Sequence, residues 1–106
     1  MPLVVHPLVQ QRLEELRRLC AHLRVRRLEL FGSATSSRFD PATSDLDFLV
    51  EFAPQPGGGY ADAYFGLLEA LERLFDRKVD LVVGSAIKNP YFRESVDKTK
   101  ALLYAA

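Results

Sequence analysis

Two stretches decide how this chain is read: Leu30-Phe31-Gly32-Ser33, and Asp45-Leu46-Asp47-Phe48-Leu49-Val50 a short polar spacer later. Residues 26–31 alternate, with Leu28 and Leu30 on one side and Arg27, Glu29 and Phe31 on the other. Residues 45–52 alternate too: Leu46, Phe48, Val50 and Phe52 oppose Asp45, Asp47, Leu49 and Glu51. Both patterns read as strands with one buried face. A strand that runs into Gly32-Ser33 turns sharply and begins a helix, aiming backbone N–H groups and a hydroxyl at an anion. That is a phosphate seat without a lysine. Asp45 and Asp47 project from one face with backbone positions about 6.5 to 7 Å apart, so both reach one metal cluster. Crowded carboxylates repel unless a cation neutralises them. Mg²⁺ is expected there, because it prefers carboxylate oxygens together with substrate phosphates.

Working outward, residues 78–83 give a third strand in which Val79, Leu81 and Val83 oppose Lys78, Asp80 and Val82. Asp80 sits in an apolar run, where a buried, unpaired charge is costly. Beside Asp45 and Asp47 it completes a three-carboxylate cluster for two metal ions about 3.5 to 4 Å apart. Residues 7–23 read as one amphipathic helix through Val9, Leu13, Leu16, Cys20 and Leu23. Residues 54–59 form a flexible loop, and residues 61–75 a second helix with a broad apolar stripe. Asn89 as N-cap and Pro90 as first residue open a last helix, followed through Phe92, Val96, Thr99 and Leu103, with a final turn prone to fray or unwind. The expected fold is α/β or α+β, a short mixed sheet with helices on one face.

The 106 residues suit one domain. Fourteen basic and fourteen acidic side chains cancel, which removes the electrostatic case for non-specific nucleic-acid binding. Cys20 is the lone thiol, so no internal disulfide is possible. No apolar run reaches the roughly 18 residues of a spanning helix, and the start shows no leader pattern, so no membrane role and a cytoplasmic address are expected.

At Gly32-Ser33, Asp45-x-Asp47 and Asp80 the chain resembles the nucleotidyltransferase superfamily of the DNA polymerase β type, and within it the minimal nucleotidyltransferases. The resemblance implies a polymerase β palm-like core. The spacer of residues 34–44 is one longer than the usual ten. Residues 89–96 look like those of the MntA-type antitoxins paired with HEPN-domain toxins. By that resemblance Asp45 and Asp47 bind both Mg²⁺ ions, Asp80 binds one and helps activate the acceptor hydroxyl, and Gly32-Ser33 holds the terminal phosphates. The implied reaction moves AMP from ATP to a tyrosine of a cognate HEPN toxin, releasing pyrophosphate. With no added substrate-holding helical domain in the sequence, a protein partner is expected to complete the acceptor side. The competing class is an inactive binding module that silences its partner by occupancy.

Blander readings attach to the remaining motifs. Gly57-Gly58-Gly59 lacks a following Lys and Ser/Thr and reads as a hinge. A calcium loop over residues 40–51 fails because Asp45 stands where glycine is required. Cys20 reads as a core residue, and His6 and His22 have no ligand companions. Tyr60, Tyr64, Tyr91 and Phe92 are expected to pack, with Tyr91 or Tyr104 the candidates for a partner surface. Arg38, Lys88 and Arg93 are possible phosphate contacts.

Overall fold

A computed structural model describes residues 5–106; residues 1–4, on which the expectation of no leader partly rests, lie outside the described residues. The elements run α1 (Pro7–Gln10), α2 (Leu13–His22), β1 (Val25–Phe31), β2 (Leu46–Phe52), α3 (Tyr60–Phe75), β3 (Val79–Val83), α4 (Pro90–Thr99) and β4 (Ala101–Ala105). Short 3₁₀ turns lie at Gly32–Thr35, Pro56–Gly58 and Gly84–Ala86. The sheet has the order β3-β2-β1-β4. β1 is antiparallel to β2 and β4, while β2 and β3 are parallel. A parallel pair needs a crossover, and α3 supplies it. The result is the mixed α+β sheet expected from the sequence.

Strand alternation separates the two sheet faces as read. Leu28, Leu30, Leu46, Phe48 and Val50 are buried in the main core with Leu16, Cys20, Leu67, Leu71 and Phe75 from α2 and α3. Each such Leu or Phe contributes about 1.5–3 kcal/mol relative to exposure. Phe48 and Phe75 stack at 5.9 Å. Cys20 lies in this core, and burial pushes its thiol up to about 12. It is an inert packing group, as expected.

Three expectations change. The first helix is broken, ending at Gln10 and restarting at Leu13, with Arg12 outside helical geometry (φ −113°, ψ 12°). His6 caps α1 by accepting the Leu8 N–H at Nδ1 (3.1 Å). The last helix does stop at Thr99, and Ala101–Ala105 becomes a fourth strand beside β1. Without it β1 would be an open edge, so pairing overrides the helical spacing that reaches Leu103. Finally, the helices do not share one face. Val96 of α4 is buried with Phe31 and Leu49 on the opposite face of the sheet from α2 and α3. Phe92 meets Phe31 edge-on at 6.2 Å. The start of α4 is as read, since Asn89 Oδ1 accepts the N–H groups of Tyr91 and Phe92.

Candidate active site

The face beneath α4 carries the predicted acids. Cross-strand register places Asp47 opposite Phe31 on β1 and opposite Asp80 on β3. Directly paired residues share a face, so the two carboxyls stand side by side across the parallel pair. Asp45, just before β2, lies close enough for its charge to be felt at Asp47. The acids are not equally exposed. Asp80, expected to be buried, is exposed because β3 is the sheet edge, and Asp47 on the inner strand is the sheltered one. Burial, and then the neighbouring Asp80 and Asp45, push the Asp47 carboxyl up to about 6.

Gly32 closes the site from β1. Its φ is +75°, and a Cβ there would lie 2.5 Å from Asp47 Oδ2. Glycine is therefore required both for the turn and for the acid beside it. Ser33 follows in the 3₁₀ turn. One sequence expectation is corrected here: the Gly32 N–H is not free for an anion, because Thr99 Oγ1 accepts it at 3.0 Å.

The spacer is tied down at both ends despite its extra residue. The Ala42 N–H donates to Asp40 Oδ1 (2.9 Å), and the Asp40 N–H donates to Ser44 Oγ (3.0 Å). Phe39 is buried between the His6 ring at 4.6 Å and the Arg77 guanidinium at 5.4 Å. Arg77 Nη1 also donates to the Ser44 carbonyl at 3.3 Å, fixing the backbone that delivers Asp45.

A cleft of about 470 Å³ opens over the acids, with Asp47 and Asp80 on its polar side and Phe31, Tyr64, Leu68 and Phe92 on its apolar side. Among the described residues no three Asp, Glu, His or Cys side chains already converge as a metal cluster. Asp47 and Asp80 are the close pair, and Asp45 acts on Asp47 through its charge. This donor set still suits Mg²⁺, since hard carboxylate oxygens crowded enough to hold a proton are relieved by a divalent cation.

The chain matches the family model described as Nucleotidyltransferase domain over residues 12–103. The chain belongs to that family. A protein of Methanocaldococcus jannaschii that carries the provisional name protein adenylyltransferase is 39% identical over 75 residues, 71% of this chain and 72% of the relative. A solved structure described, provisionally, as a minimal nucleotidyltransferase is 33% identical, with a TM-score of 0.66 over 88% of this chain and 90% of the other. A chain in the solved complex of a tri-AMPylated Shewanella oneidensis HEPN toxin with an MNT antitoxin shares the fold. Its TM-score is 0.62 at 21% identity, covering 92% of this nucleotidyltransferase and 72% of that chain.

Some features of this nucleotidyltransferase escaped the sequence reading. Arg77 and Thr99 touch the site through contacts that span 33 and 67 residues, and no local pattern signals them. Tyr91, expected to pack, is 81% exposed, and Tyr60 and Phe92 are also exposed. Tyr64 does pack, donating its hydroxyl to the Leu81 carbonyl at 2.7 Å along the β3 edge. No helix among the described residues is long and apolar enough to cross a membrane.

The raised Asp47 carboxyl makes stability depend on pH. Between about pH 4 and 6 the native state binds more protons at Asp47 than the unfolded chain does, so stability falls as pH rises through that window. Asp47→Asn removes this contribution. In chelator, its stability advantage over the wild type is expected to grow from near zero at pH 4 to about 1 kcal/mol above pH 6, allowing for solvent screening. Urea melts across that range check it, and a pH-independent gap between the two proteins counts against the crowding.

Proposed function

We propose that residues 1–106 act as a single minimal nucleotidyltransferase domain that moves AMP from ATP to a tyrosine hydroxyl of a HEPN-domain toxin, and so serves as its antitoxin. The observation that carries the reading is the pairing of Asp47 with Asp80, set against the turn at Gly32. The names of the similar proteins support the transferred group and the class of partner. Asp45, Asp47 and Asp80 would hold two Mg²⁺ ions, which when bound neutralise these acids and stabilise charge on the triphosphate.

This chain's residues then have separate tasks. Ser33 holds the terminal phosphates, and the Phe31, Tyr64 and Phe92 side of the cleft gives a nucleobase a flat apolar wall. The acceptor oxygen bonds to the α-phosphorus as the bond from that phosphorus to the bridging oxygen breaks. Pyrophosphate leaves with that bond's electron pair. Asp80, the exposed acid on the edge strand, faces the side from which a protein acceptor can approach and takes the hydroxyl proton. Supply of the acceptor by a protein partner agrees with this open edge.

Covalent silencing outlasts contact, whereas silencing by occupancy ends on dissociation. The HEPN-domain partner, incubated with this protein, ATP and Mg²⁺ and then repurified, is expected to carry added mass in steps of one AMP on a tyrosine and to stay inactive. A partner of unchanged mass that regains activity on separation would instead establish the inactive binding module.

A further inference from the structure

The turn between α3 and β3 holds Asp45 from both sides. The carbonyl of Ser44, which is bonded to the Asp45 nitrogen, accepts from Arg77 Nη1 at 3.3 Å. The N–H of Leu46, which follows the Asp45 carbonyl, donates to the Lys78 carbonyl at 3.4 Å. Both peptide groups that flank Asp45 are therefore tied to residues 77 and 78, and Asp80 lies two residues further on. The turn is itself fixed. α3 ends on Asp76 in the left-handed conformation (φ +50°), and the Arg77 N–H returns to the Glu72 carbonyl at 3.3 Å, closing the helix. Glu72 Oε2 also accepts the Val79 N–H at 3.4 Å, where β3 begins.

Arg77 holds this place at a cost. Its guanidinium lies over Phe39, its Nε is buried with no hydrogen-bond partner, and it is in no ion pair among the described residues. A sheltered, unpaired cation is unfavourable for stability. What the side chain supplies is a grip on the spacer. Phe39 is buried between Arg77 and the His6 ring, and the His6 N–H donates to the Ala34 carbonyl at 3.1 Å, just past Gly32-Ser33. We propose that Arg77 is a positioning residue for the metal ions: by holding Ser44 it sets where the Asp45 carboxylate stands beside Asp47 and Asp80, and so how tightly the acids take a divalent cation. This role rests on the two-metal reading above and adds a residue outside the Gly-Ser and acidic motifs. Charge alone predicts the reverse. A guanidinium near the acids repels a metal ion, so its removal would strengthen binding if Arg77 acted only through its field. Loss of the tether weakens binding instead, because groups that orient a metal ligand govern the site's affinity.

Titration of the full chain with Mn²⁺ and no nucleotide, read by the electron paramagnetic resonance of free Mn²⁺, tests this. Arg77→Met keeps an unbranched apolar chain over Phe39 and removes both the charge and the hydrogen bond. It is expected to weaken Mn²⁺ binding about tenfold. The urea midpoint in chelator should stay close to that of the wild type, since the lost cation was unpaired. Arg77→Lys, which keeps a donor, should recover part of the affinity. In turnover, Arg77→Met should raise the Mg²⁺ needed for half-maximal transfer more than it lowers kcat. With Asp45→Asn already present, Arg77→Met should cause no further loss of Mn²⁺ affinity, because its effect passes through Asp45. That background also decides the matter if Arg77→Met lowers the urea midpoint. Unchanged or tighter Mn²⁺ binding in Arg77→Met overturns the positioning role, and so does a full additional loss on top of Asp45→Asn. If Asp45→Asn weakens Mn²⁺ binding while Arg77→Met does not, the positioning role falls and the metal reading stands. A wild type that takes up no Mn²⁺ removes both.

Discussion

Asp45→Asn/Asp47→Asn is expected to lower AMP transfer by more than about a thousandfold, which corresponds to about 4 kcal/mol of lost transition-state stabilisation. Both substitutions keep shape and remove charge, so the fold has no reason to fail. Asp47 is crowded by Asp80 and Asp45, and the double variant relieves that repulsion in the metal-free protein. Activity and stability should therefore move in opposite directions, which separates a reaction site from a structural ion cluster. The third acid divides the reaction further. Asp80→Asn should leave Mg²⁺-dependent ATP binding largely intact while transfer falls by orders of magnitude, because Asp80 stands on the exposed edge strand, the side proposed above for the acceptor. Single-turnover transfer measured beside calorimetry decides it. Equal ATP affinity and equal transfer in the double variant would remove the acids from the reaction.

How much of this site could be read from the chain depends on the range of the contacts involved. Alternation is local, so the facing sets of β1, β2 and β3 were legible, and with them Asp47 and Asp80 on one face. Register is not local. The pairing of Asp47 with Asp80 follows from how α3 crosses over, and that crossover also makes β3 the edge. The sequence therefore suggested a buried Asp80, whereas the strand order shelters Asp47 instead. The same limit explains β4. Leu103 continues the helical spacing of α4, but the competing partner is β1, more than 70 residues earlier, and its unpaired edge prevails. The break between α1 and α2 escaped because an apolar period survives a short interruption between helices. The Thr99 bond to Gly32 and the Arg77 bond to Ser44 are single long-range contacts of polar residues, which carry no periodic signature at all.

Gly32→Val is expected to nearly abolish transfer, for a reason the turn alone does not supply. Gly32, Gly57 and Gly58 all have positive φ, so a side chain strains the backbone at each. At Gly57 an added Cβ meets nothing within 4 Å. At Gly32 it would sit 2.5 Å from Asp47 Oδ2, so the carboxylate must swing out of line with Asp80. Comparing Gly32→Ala with Gly57→Ala therefore isolates the effect on the acid from the shared backbone strain. Both should destabilise by about 1 kcal/mol, read from urea melts. Only Gly32→Ala should lose transfer, by about a hundredfold, since small displacements of reacting groups cost that much. Gly32→Val adds bulk at the mouth of the phosphate turn and should lose more. Matching losses of transfer at the two glycines would mean that strain alone is responsible. Full activity in Gly32→Ala would mean that Asp47 tolerates displacement and does not position the reacting phosphate.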